Sequence, residues 1–177
     1  MYFIKEVKED FNIVGLKELK LDTFSDSRGE IWTLFSANEI LPNFVEEKLS
    51  ISNFSVLRGL HGDSNTGKLI TCIHGEIQLA VADLRRNSTT YGNSIMFRLS
   101  EKEPKSIFVP AGCVNGHLCL SEKCLFYYKW THKYDGSDSQ VTVKYNDLKF
   151  KFDWKIKDVI LSERDLNKSI NSDGIFL

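Results

Sequence analysis

Two short apolar runs, Leu69-Ile70-Thr71-Cys72-Ile73 and Ile77-Gln78-Leu79-Ala80-Val81-Ala82, stand on either side of His74-Gly75-Glu76. Runs of this length bounded by turn residues read as strands, and a Gly-centred gap of hairpin size joins them. Polar–apolar alternation marks strands at 30–35, 46–54 and 141–145, further short strands read at 94–99 and 106–109, and 124–131 is an aromatic, β-favouring run. Residues 2–4, 11–14 and 16–21 read as edge strands and turns, 24–29 as a turn, 85–92 as a loop, and Pro110-Ala111-Gly112 as a stop. Helical signals are few. A short helical turn is expected within 36–44, before Pro42. A short helix is expected from Leu161 onward, with Ser162 as its cap. About ten short strands with turn signals between them predict an all-β jelly roll, a β-sandwich or barrel with short peripheral helices. No linker or internal repeat divides residues 1–177, which read as a single domain.

Composition narrows the function classes. The chain has 177 residues, 23 basic and 24 acidic, for a formal net charge of −1. That balance gives no whole-chain field for nucleic acid or an anionic membrane. No apolar run approaches the roughly 20 residues of a membrane span. The first ten residues carry acids and lysines and no signal-peptide core, so a cytoplasmic protein is expected. The four cysteines form no C-x-x-C pair, which fits free, buried thiols.

Candidate chemistry concentrates in Val56-Leu57-Arg58-Gly59-Leu60-His61, followed by Lys68 at the head of an apolar run. The stretch reads as a tight Gly turn between a cation and an imidazole. Histidine can accept a proton near neutral pH, and Arg58 and Lys68 suit a substrate that is anionic or becomes so during reaction. A surface turn with scattered charges fits the same spacing.

Further tags follow in order. They include Asp26-Ser27-Arg28-Gly29, Gly67-Lys68-Leu69, Gly75-Glu76, Ala82-Asp83-Leu84-Arg85, Val109-Pro110-Ala111-Gly112, Tyr128-Lys129, Asp153-Trp154 and Leu161-Ser162-Glu163-Arg164-Asp165. With them the chain resembles, nearly end to end, the cupin-class nucleotide-sugar 3,5-epimerases typified by dTDP-4-dehydrorhamnose 3,5-epimerase. The resemblance implies a jelly-roll homodimer, without cofactor or metal, that holds a nucleotide-diphosphate 4-keto sugar inside each barrel. His61 would be the general base and Asp165 its orienting carboxylate, expected to raise the histidine's pKa. Tyr128 would be the acid on the opposite face of the ring, and Lys68 would steady the enolate oxygen. Arg28, Arg58, Ser50, Asn115, His117 and Tyr134 would bind substrate, Arg28 at the nucleotide end. Asp83, Asp147 and Trp154 would serve turns and packing. Tyr127 and Tyr128 are neighbours on one strand, so only one can enter the barrel.

The chain departs from the family at chosen points. Where the family reads Pro-x-Gly-Phe-Ala-His-Gly-Phe, this chain has Pro110-Ala111-Gly112-Cys113-Val114-Asn115-Gly116-His117. Asn115 replaces a second histidine and cannot shuttle protons at neutral pH. Gly62-Asp63 follows His61, and Glu46 and Lys48 stand where Gln and Asn are common. These changes surround the sugar and spare the base and acid. They point to an altered substrate, for example a GDP-linked 6-deoxy-heptose of capsule or lipopolysaccharide biosynthesis. Inversion of C3 alone and of C3 with C5 are both open. A metal-dependent cupin lacks its clustered histidines here, and a 3,4-ketoisomerase lacks its His pair after Arg58-Gly59. A sugar-nucleotide-binding jelly roll without chemistry would not need a base.

Overall fold

The computed structural model describes residues 4–9, 11–37 and 39–177. Its strands are β1 (Ile4–Lys8), β2 (Lys17–Leu21), β3 (Thr23–Asp26), β4 (Gly29–Trp32), β5 (Glu46–Asn53), β6 (Leu57–Gly62) and β7 (Lys68–His74). They continue as β8 (Glu76–Asp83), β9 (Ser94–Ser100), β10 (Lys105–Val109), β11 (Cys113–Cys119), β12 (Lys123–Trp130) and β13 (Val141–Thr142), with one α-helix, α1 (Glu163–Asn167). A six-stranded sheet runs β1-β2-β10-β7-β12-β5, and a five-stranded sheet runs β13-β6-β11-β8-β9. The β3-β4 hairpin forms a small sheet of its own. This is the expected all-β jelly roll.

The two large sheets face each other over a core that includes Ile70, Cys72, Leu79, Val81, Ile107 and Phe126. The five-stranded sheet is also covered on its outer face. There Leu57, Leu60, Ala80, Ala82, Val114 and Leu118 pack beneath Val143, Phe150 and Trp154. Strands buried on both faces lose the polar alternation, which is why β8 reads as one apolar run. On the other sheet, Leu19, Leu21, Leu69 and Phe108 are covered by Leu34, Phe35, Leu41 and Phe44. Asp83 is wholly buried at the end of β8 and holds the following turn, accepting hydrogen bonds from Arg85, Ser88 and Thr90. Asp147 accepts from the backbone of Lys149 and Ser172, and Trp154 Nε1 donates to Tyr145 O. All four cysteines are free and buried.

Several local expectations change. Among the described residues of 36–44 there is no helical turn; these apolar side chains serve as a cover in irregular chain. Residues 11–14 are bend and turn rather than strand, and Phe11 and Ile13 plug the core from there. Of 141–145 only Val141–Thr142 is strand, with Val143 bridged to Ile170. Residues 113–119, not expected as a strand, form β11 in the middle of its sheet. Residues 2 and 3 lie outside the described residues.

Gly59 is not a turn but an interior residue of β6. Its φ of 118° is open only to glycine without strain, and a Cβ there would meet Gly116 Cα at 2.5 Å. Asn115 pairs with His61 and His117 with Arg58, so β6 spends three residues where β11 spends two. Residues three apart on a regular strand face opposite ways. The extra residue at this bulge turns Arg58 and His61 to the same side.

Candidate active site

A cavity of about 360 Å³ opens between the sheets, lined by the inward residues of five strands and the residues around α1. Alternation on β12 sends Phe126, Tyr128 and Trp130 into it, whereas Tyr127 turns outward and donates to Glu47. β5 contributes Lys48 and Ser50, β6 Arg58 and His61, β7 Lys68, and β11 Asn115 and His117. His61 and Tyr128 stand on different sheets and therefore on opposite walls.

Asp165 reaches the site because Ser162 starts α1 there, accepting from Asp165 N at 3.1 Å. The Ser162 hydroxyl donates back to Asp165 Oδ2 at 3.0 Å. Asp165 Oδ1 lies 2.6 Å from His61 Nε2. A carboxylate can only accept, so Nε2 carries the hydrogen and Nδ1 keeps the lone pair. Burial would raise the Asp165 carboxyl, but hydrogen bonds from His61 and Ser162 hold it below the usual range. Burial lowers the His61 pKa, and the upward push from Asp165 only partly offsets this. The expected rise is thus corrected: desolvation of the imidazolium outweighs its carboxylate, and the ring rests neutral.

Lys68 is 5% exposed. Its ammonium donates to Asn115 Oδ1 at 3.0 Å and His61 O at 3.2 Å, and lies 5.0 Å from the Trp130 ring centre. Both acceptors are neutral, and among the described residues no carboxylate forms an ion pair with it. Burial lowers its pKa to about 8. Tyr128 is pushed up, by burial first, with Arg58 opposing. Arg58 Nε donates to Ser52 Oγ at 3.0 Å, tying β6 to β5 across the open side of the barrel. At the mouth, Lys48 pairs with Glu46 at 3.0 Å and lies 4.0 Å from the Tyr134 ring centre.

Three buried polar atoms on the cavity wall have no partner among the described residues: Ser50 Oγ, His117 Nε2 and Trp130 Nε1. Unpaired polar atoms are costly in a fold and are found where a polar ligand completes them.

Of the residues expected from sequence, His61, Tyr128, Asp165, Lys68, Arg58, Ser50, Asn115, His117 and Tyr134 all line this cavity. Arg28 does not; it is exposed on the β3-β4 hairpin and pairs with Asp26 at 2.6 Å. Phe126, Trp130, Gln140, Ser162 and Arg164 also line it and were not proposed, and Lys48, expected around the sugar as a departure from the family, lines it too. Inward alternation from Tyr128 was available to find Phe126 and Trp130. Nothing in the sequence marks Gln140.

Residues 10–172 match the dTDP-4-dehydrorhamnose 3,5-epimerase family. The chain belongs to that family. The family's enzyme from Methanothermobacter thermautotrophicus is 34% identical over 167 residues, 88% of this chain and 90% of the relative. That of Escherichia coli is 33% identical over 152 residues, 80% of this chain and 82% of the relative. Among solved epimerases, the Legionella pneumophila dTDP-6-deoxy-D-glucose-3,5-epimerase in complex with dTDP-4-keto-L-rhamnose superposes with a TM-score of 0.88 at 29% identity. The match covers 96% of this chain and 94% of that one. The epimerase from Elizabethkingia anophelis gives 0.85 at 29% identity, covering 99% of this chain and all of the other.

Proposed function

We propose that this protein is an epimerase that inverts C3, or C3 and C5, of a nucleotide-linked 4-keto-6-deoxy sugar. The observation that carries this reading is the pairing of His61 with Asp165 on one wall, Tyr128 on the opposite wall, and the buried Lys68 ammonium in the same cavity. A carbon next to a ketone is acidic because the carbanion spreads onto the carbonyl oxygen as an enolate. The lone pair on His61 Nδ1 takes the proton, and Asp165 stabilises the imidazolium that results. Lys68, fixed by Asn115, supplies positive charge at the developing oxyanion. Tyr128, kept protonated by burial, then gives a proton to the carbon from the other face, and the configuration inverts. No step calls for a metal or an organic cofactor.

The altered walls favour a sugar other than the rhamnose precursor, such as a GDP-linked 6-deoxy-heptose used in capsule or lipopolysaccharide assembly. Asn115, His117 and Lys48 are the departures that support it. The whole of 1–177 acts as one domain in this reading, in the cytoplasm, where free thiols persist. Homodimerisation is supported by β5, an outer strand of its sheet that exposes Leu49 and Ile51, and by Phe24 and Ile31 exposed on the β3-β4 hairpin. A second copy seated there brings Arg28 toward a neighbouring nucleotide.

The test is solvent exchange. In D2O with nucleotide-linked 4-keto sugars, NMR should show loss of the C3 proton, alone or with that of C5. His61→Asn should retain nucleotide-sugar binding and abolish exchange. Exchange undiminished in that variant would remove His61 as the base.

A further inference from the structure

Ser50 and His117 flank one ring. Ser50 is directly opposite Phe126 in the β5–β12 register, and the His117 imidazole stacks on Phe126 with centroids 4.0 Å apart and planes 10° apart. His117 is 3% exposed, and its Nε2, like Ser50 Oγ, has no partner among the described residues. Phe126 belongs to the main core and sits two residues before Tyr128 on β12, about 7 Å along the strand. This pair therefore lies beyond the layer where His61, Tyr128 and Lys68 would hold a sugar ring, on the side that leads into the core.

Neither ordinary explanation accounts for the histidine. It makes no ion pair, since Arg58 and His61 are the charged or titratable groups acting on it and both disfavour its protonation. It does not act as an acid or base near neutrality, because burial pushes its pKa down to about 3. A neutral imidazole at this place offers one nitrogen as donor or acceptor, and serine offers both functions. Packing alone is served better by phenylalanine, which would stack on Phe126 without an orphaned nitrogen.

We infer that Ser50 Oγ and His117 Nε2 form a hydroxyl-binding subsite that reads the exocyclic arm of the sugar, selecting an arm that ends in a hydroxyl over one that ends in a methyl group. A hydroxyl can donate to one such atom and accept from another, whereas a methyl group can do neither. The ring is held a layer away, so the group that reaches the floor is carried on a side arm. The inference rests on the epimerase reading and specifies its substrate class.

The experiment compares two 4-keto sugars on the same nucleotide, one with a methyl at C5 and one with a two-carbon arm ending in a hydroxyl. Deuterium incorporation gives kcat and KM for wild type, His117→Phe and Ser50→Ala. The wild type should favour the hydroxyl-ended sugar in kcat/KM by tenfold or more. In each variant that ratio should fall by tenfold or more, while circular dichroism and Tm report a folded protein. A wild type without preference, or variants that slow both sugars equally, would overturn the subsite and leave the epimerase reading standing. Exchange with neither sugar in wild type, despite retained nucleotide-sugar binding, would overturn both.

Discussion

Replacing Lys68 with methionine separates its charge from its bulk. Methionine keeps the length and the packing against Trp130 and deletes the ammonium. The wild-type ammonium is buried and donates to two neutral oxygens, at 3.0 and 3.2 Å, with no ion pair to it among the described residues. Asp63 acts on it without forming an ion pair, so the enolate would be the first negative charge in direct contact with it. Unit charges 3–4 Å apart interact by about 4–6 kcal/mol at an effective dielectric of about 20. Removing one oxyanion donor typically costs about 3–4 kcal/mol. Lys68→Met should therefore lower kcat by about 10² to 10³-fold.

Stability should move the other way. Burial lowers the lysine to about 8 from the ordinary 10.5. A cation whose folded pKa is depressed destabilises the fold below that value, and the penalty vanishes as pH rises through the unfolded pKa. At pH 7 the penalty is present in full, so the variant's Tm should equal or exceed that of wild type. The assay is deuterium incorporation at C3 by NMR, paired with a thermal melt. A variant within threefold of wild type in kcat would refute the oxyanion role, and one that is slow because it has melted would refute the energetic argument.

Asp165→Asn should cut kcat by at least 10²-fold, because an amide neither stabilises the imidazolium nor enforces the Nε2–H tautomer; undiminished turnover would detach Asp165 from the base. The kcat/KM profile should stay flat to below the ordinary histidine value of 6.5, since burial lowers His61, and fall above about 8 as Lys68 loses its proton. A profile still rising at pH 9 would contradict this. Asp83→Asn should cost about 3 kcal/mol or more by breaking a buried charged cluster, read as a drop in Tm. Burial opposes the Asp83 anion, but Arg85, Thr90 and Ser88 hold its pKa at about 2. Its contribution is present above about 4 and lost as pH falls toward 2, so the variant should lose the corresponding part of the acid-unfolding transition. Leu49→Glu should shift a dimer to monomer in light scattering, and no shift would move the interface elsewhere.

The fold was legible wherever pattern and burial agree. The β7-β8 hairpin is two apolar runs around Gly75, and α1 follows from Ser162 before a charged turn. The reading missed β11, because a strand whose inward residues face a cavity carries Asn115 and His117 where a core strand carries aliphatics. Its period is intact but its polarity is not. The helical turn expected before Pro42 failed for a related reason. Leu34, Phe35, Leu41 and Phe44 are spaced to cover one patch of sheet, which irregular chain does as well as helix. Within the site, His61, Lys68 and Tyr128 were available from chemistry and resemblance. That Arg58 and His61 share a face depends on the bulge, which only the pairing of β6 with β11 reveals. Gln140 and Arg164 come from segments whose approach to the barrel is a tertiary matter.

The contact of Gly59 with Gly116 bears on how this enzyme can change. One strand carries the base, and the other carries Asn115, which holds the Lys68 ammonium, and His117 at the floor of the cavity. They meet backbone to backbone, where a single methyl group would wedge them apart. Side chains on either strand can be exchanged, so a new sugar can be accommodated by rewriting Asn115 or His117. The spacing between the strands cannot be exchanged by small steps. Substrate choice can thus change while the spacing between the strand that carries the base and the strand that carries Asn115 and His117 stays fixed. In a saturation library, Gly59 and Gly116 should resist replacement although neither lines the cavity.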